Sequence, residues 1–123
     1  MLSHLSLGIR ELARSRDFYD AVLAALGFER VWTGERGLGY GADGREPLNL
    51  FVVAPDADPS SGAAFHLAFR APDRASVDAF HLAALANGGT DAGAPGPRPQ
   101  YSATYYAAFV LDPDGHKLEA VHQ

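Results

Sequence analysis

The chain has 123 residues, 47% hydrophobic and 20% charged, which is enough to fold around a core, and its net charge of −5 includes no basic run that would neutralise nucleic-acid phosphates. No apolar run approaches the ~20 residues that cross a bilayer, and the first residues lack a signal-peptide layout, so a cytoplasmic protein with no nucleic-acid or membrane partner is expected. There is no cysteine, which excludes disulfides, cysteine-held clusters and a cysteine nucleophile and leaves His, Asp, Glu and water for any metal.

Alternation of Leu5, Leu7 and Ile9 predicts a first strand, with His4 at its start on the side away from the apolar residues. Phe18, Val22 and Leu26, flanked by Tyr19 and Leu23, form the stripe of a helix that Gly27 ends. Strand-like stretches follow at 28–33, 37–42 and 48–53, and Asp43-Gly44 is the hairpin signal between the last two. Residues 39–44 match GxGxxG, but a dinucleotide loop must open a helix and this one runs into a hairpin, so the match reads as chance. A stretch rich in Pro, Asp and Ser then reads as a linker.

Beyond the linker the pattern returns. At a shift of 62, His4-Leu5 lies over His66-Leu67, Phe18 over Phe80, Leu23 over Leu85 and Gly27 over Gly89. Val77, Phe80 and Ala84 give the second helix its stripe, and Asp73 is placed to cap it. Strands are expected at 90–93, 104–111 and 116–122, with a turn at Asp112-Pro113-Asp114-Gly115. Residues 94–101 hold three prolines and read as a long, semi-rigid loop. The chain is therefore expected to be α+β: two tandem βαβββ modules forming a cupped mixed sheet in one domain, with module 1 at about 1–54, the linker at about 55–63 and module 2 at about 64–123.

The two aligned histidines and Glu119, in the last strand, are the residues best suited to chemistry. Glu119 faces opposite to Leu118 and Ala120, and its counterpart in the first copy, at a shift of 70, is Asn49. His4, His66 and Glu119 on one concave face suit a divalent metal (Zn, Fe, Mn, Ni or Co) with positions left open, while each residue alone is also explained as a solvated or hydrogen-bonded side chain. Tyr105 and Phe109 share a strand face that can line a substrate pocket, and Arg98 can meet an anionic group. His81 reads as a surface or helix-packing residue, His116 as solvated and His122 as a terminal surface residue.

The chain resembles the vicinal oxygen chelate superfamily, which includes glyoxalase I, bleomycin-resistance proteins and extradiol dioxygenases. The resemblance is carried by His4, the run from Ser15 to Tyr19, Leu26-Gly27-Phe28, the run from Phe65 to Phe69, and above all the run from Phe109 to Glu119. It implies paired modules around a metal, with His4, His66 and Glu119 at three ligand positions and Asn49 near a fourth, where glyoxalase I has a Glu. It also implies a homodimer, with the pairing of modules within one chain or between chains left open, and a small-molecule substrate whose adjacent oxygens chelate the metal. The alternative within the same family is a metal-free ligand-binding protein of the bleomycin-resistance kind.

Overall fold

The computed structural model describes residues 1–123. The first half holds strand β1 (Leu5–Ile9), helix α1 (Leu12–Ala24) and strands β2 (Glu29–Thr33), β3 (Gly37–Ala42) and β4 (Arg45–Val52). The second half repeats the order with β5 (Leu67–Arg70), α2 (Arg74–Ala86), β6 (Thr90–Pro97), β7 (Tyr106–Leu111) and β8 (Lys117–His122). Each half makes its own four-stranded mixed sheet, β1-β4-β3-β2 and β5-β8-β7-β6, with β1 parallel to β4 and β5 parallel to β8. This is the expected α+β fold of tandem βαβββ units, and no strand of one sheet pairs with a strand of the other. No helix is long and apolar enough to cross a membrane.

Local chemistry sets these elements. Asp43 and Gly44 both take positive φ, 53° and 73°, which a two-residue hairpin between twisted strands requires. At the end of α1, Gly27 has φ 87°, and the Phe28 N–H reaches back 3.0 Å to the Leu23 carbonyl. Asp73 caps α2 by accepting from the Ser76 N–H at 2.7 Å. Helix α1 has no side-chain cap of its own. Asp114, from the turn between β7 and β8, stands in: it accepts from the Arg10 N–H at 3.2 Å and pairs with Arg14 at 3.1 Å. A carboxylate there also complements the positive end of the helix.

Phe18, Tyr19, Val22 and Leu23 of α1 meet Val77, Phe80 and Ala84 of α2, and one cluster of 19 buried residues runs through both halves. The alternation of each strand follows from this packing. Leu7, Ile9, Leu38, Tyr40, Leu48 and Leu50 turn to the helices in the first sheet, as do Val110, Leu118 and Ala120 in the second. The opposite faces of the two sheets carry Ser6, Asn49 and Phe51 on one and Ala68, Phe109 and Glu119 on the other.

Three expectations are corrected. The segment 94–101 is not one long loop, because β6 continues to Pro97, pairing Gly96 with Ala107 and Pro97 with Tyr106. Strand β6 lies at the edge of its sheet, where a proline loses no ladder bond, and the register shifts around Gly93 absorb the irregularity. His116 is not solvated. It is 1% exposed, its Nε2 donates to the Gly8 carbonyl at 2.7 Å, and its Nδ1 meets the Ser61 hydroxyl. His122 is half-buried rather than a surface residue, with Nδ1 donating to the Ala71 carbonyl at 3.1 Å.

Candidate metal centre

Glu119 sits in the middle of β8, flanked across the sheet by Ala68 on β5 and Phe109 on β7. It is on the face turned away from the helices, yet it is only 2% exposed. A carboxylate so enclosed needs partners for both oxygens. The Tyr105 hydroxyl donates to Oε1 at 2.5 Å, and Nε2 of His66 lies 3.1 Å from Oε2. His66 immediately precedes β5, and its side chain is 46% exposed, so solvent reaches the pair from the imidazole side.

Phe109 forms the floor beside them. The His66 ring meets it edge-on at 6.1 Å, Lys117 lies over it at 5.1 Å and Arg98 at 5.8 Å. Arg98 was expected to meet an anionic group. Its guanidinium donates to the backbone carbonyls of Ala94, Gly96 and Pro97, at 2.8, 2.9 and 3.3 Å. Tyr105 was expected to face a substrate, and its hydroxyl is engaged by Glu119. Burial, and then the bond to Glu119, push the Tyr105 phenol up to about 12, so it stays a neutral donor at physiological pH.

The other candidates stand on the first sheet. His4 is exposed just before β1, and its Nδ1 lies 3.0 Å from the Ser3 hydroxyl, leaving Nε2 without a partner. Asn49 is half-buried on β4 between Ser6 and Gly39, and its side chain makes no hydrogen bond. A Cβ at Gly39 would stand 3.2 Å from the Asn49 Oδ1, so the glycine gives the amide room to lie against the sheet. His4 and Asn49 line one polar cleft with Arg45 and Glu46. Beneath His4 an apolar cavity of about 180 Å³ is walled by Leu23, Phe28, Tyr40, Leu48, Leu67 and Phe69.

The structure thus brings His66 and Glu119 together and leaves His4 and Asn49 on the other sheet. Within one chain no three of His, Asp or Glu are grouped to hold a metal. The pair itself fits a metal: two donors each ~2.1 Å from one ion stand ~3.0 Å apart at right angles and ~3.4 Å apart in a tetrahedron. The observed 3.1 Å lies between those values. A neutral imidazole nitrogen and a carboxylate oxygen are also donors that Zn, Fe, Mn, Ni and Co accept.

Three features of the two open sheet faces do not follow from the sequence patterns. The Tyr105–Glu119 bond was signalled only by Tyr105 and Phe109 sharing a strand face. Lys117, two residues before Glu119 on the same strand, lies on that face by simple alternation. On the first sheet, Trp32 and Phe51 are 42% and 45% exposed with ring centroids 6.2 Å apart, and Trp32 lies against the backbone of Gly34 and Gly37.

A family model described as the Glyoxalase/Bleomycin resistance protein/Dioxygenase superfamily matches residues 1–120. Among solved structures, a glyoxalase/bleomycin resistance protein from Albidiferax ferrireducens T118 is 32% identical with a TM-score of 0.88, covering 98% of each chain. A putative glyoxalase from Bacillus halodurans is 26% identical with a TM-score of 0.75, covering 98% of this chain and 94% of that one. Glyoxalase I from Zea mays is 28% identical with a TM-score of 0.76 over 98% of this chain, which spans only 45% of the maize enzyme. No curated protein sequence matches.

Proposed function

The chain belongs to the glyoxalase/bleomycin resistance protein/dioxygenase superfamily, and from that premise we propose that it is a metal-dependent enzyme binding adjacent oxygens of a small substrate at a divalent ion. His66 and Glu119 of one chain and His4 of a second copy are the ligands in this reading. The observation that carries it is the His66–Glu119 pair, 3.1 Å apart on an open sheet face, with the carboxylate withdrawn from water. No third ligand is grouped with them within one chain, so this reading takes the third from a second copy.

Bound there, a divalent ion supplies electrophilic polarisation of substrate oxygens. The protein side chains do the rest. Glu119 supplies negative charge, and His66 a neutral nitrogen. Asn49 occupies the place that Glu119 holds in the other copy. Its amide can accept from or donate to a substrate oxygen but cannot take up a proton as a carboxylate base does. Lys117 and Arg98, beside Phe109, bias the Glu119 face toward anionic ligands.

Metal analysis of the purified protein tests this. About one divalent ion per chain is expected, bound as purified or on titration, and lost in folded His66→Ala and Glu119→Gln variants. Wild-type protein that binds no ion under either condition overturns the reading.

The exposed Trp32–Phe51 pair favours a second reading, a metal-free protein that holds a planar ligand against the first sheet. In that case ligand binding survives a chelator and is weakened by Trp32→Ala.

A further inference from the structure

The geometry points to Tyr105 as a positioning residue for Glu119: its hydroxyl holds Oε1 in place so that Oε2 is the oxygen presented beside His66. This rests on the reading of His66 and Glu119 as metal ligands. The terminal torsion of a glutamate is broad and nearly two-fold, so an unrestrained carboxylate exchanges its oxygens and swings out of plane. A donor on one oxygen removes that freedom before a cation arrives, as partners behind metal-ligating groups do.

The segment that delivers Tyr105 is built as a bracket. The Arg98 N–H donates to the Tyr105 carbonyl at 2.8 Å, which closes the ends of 98–105 onto each other. Inside, the Tyr101 N–H donates to the Arg98 carbonyl at 3.0 Å, and the Tyr101 ring packs against Tyr105 with centroids 5.0 Å apart. The Arg98 guanidinium ties the bracket to the end of β6 through the carbonyls of Ala94, Gly96 and Pro97. Pro95, Pro97 and Pro99 lower the backbone freedom of the same stretch. Arg98 and Tyr105 therefore form one device: Arg98 braces the segment, and Tyr105 touches the ligand carboxylate.

Isothermal titration of the metal-free protein with a single divalent ion tests this on four proteins: wild type, Tyr105→Phe, Arg98→Ala and the double variant. Each is first shown to be folded by circular dichroism. Tyr105→Phe keeps the ring and its packing on Tyr101 and loses only the hydroxyl, and its metal dissociation constant is expected to rise ~10–100-fold. Arg98→Ala should weaken binding in the same direction, and the double variant should be no weaker than Tyr105→Phe alone, because both act through one bond. A role confined to stability would lower the unfolding temperature and leave the dissociation constant of the folded protein unchanged. Equal affinity of Tyr105→Phe and wild type, with His66→Ala clearly weakened, overturns this inference and leaves the metal site standing. No binding by wild type removes the metal reading, and this inference with it.

Discussion

Tyr19 and Asp112 are joined in the core by a 2.6 Å bond from the phenol to Oδ2, while Oδ1 accepts from the N–H groups of Asp114 and His116. Burial raises the Asp112 carboxyl above its ordinary value, and the Tyr19 bond works against that shift by favouring the ionised form. Replacing Tyr19 by Phe leaves Oδ2 buried without a donor, an expected loss of ~1–3 kcal/mol. That loss is complete when Asp112 is ionised, above its folded value. It shrinks as pH falls toward 3.8, because protonation removes the charge that the phenol was answering. Thermal unfolding of wild type and Tyr19→Phe across the acid range checks both points. A gap that stays constant with pH would contradict this role for Asp112.

Among the elements, the β3–β4 hairpin is the least tolerant of change. A Cβ at Gly41 would stand 1.7 Å from the Arg45 carbonyl oxygen and 2.4 Å from Pro47 Cδ. Gly41→Ala must therefore move backbone at the rim of the cleft that His4 and Asn49 share, and it should cost ~1–3 kcal/mol or more in chemical denaturation. Most elements were legible in the sequence for local reasons. The stripe of Phe18, Val22 and Leu26, the stop at Gly27 and the Asp43-Gly44 turn each act within a few residues. Strand β6 runs further than its prolines predict, because prolines signal a loop unless the strand lies at an edge, and edge position is a property of the sheet. The burial of His116 is not legible in the sequence for a similar reason: its partner, the Gly8 carbonyl, lies 108 positions away. The same distance rule governs the candidate site. His66 and Glu119 were found from the repeat and the alternation, whereas the Tyr105 bond depends on how a proline-rich segment folds back.

For the whole molecule, what the sequence left open is how the two open sheet faces meet, since repeat and alternation place His4 and Glu119 on equivalent faces without saying whose faces join. A site shared between two copies has a consequence that a site within one chain lacks. On the shared-site reading, a chain with His4→Ala and a chain with His66→Ala should each fail to bind metal alone. In a mixed dimer, one of the two sites takes His4 from the second chain and His66 from the first, and is intact. After random exchange of subunits, about one quarter of all sites should bind metal. Recovery of binding on co-refolding the two variants checks this, and no recovery would overturn a site shared between two chains.

The clasp formed by the turn at residues 112–116 reaches back to the beginning of the chain: Asp112 to Tyr19, Asp114 to Arg10 and Arg14, and His116 to Gly8. During synthesis the first sheet and α1 leave the ribosome long before that turn does. Until it emerges, the start of α1 has no cap and the Gly8 carbonyl has no donor. The last dozen residues thus supply contacts that the first half lacks on its own, and a message truncated just before them should yield a chain for chaperones and proteases rather than a smaller working protein.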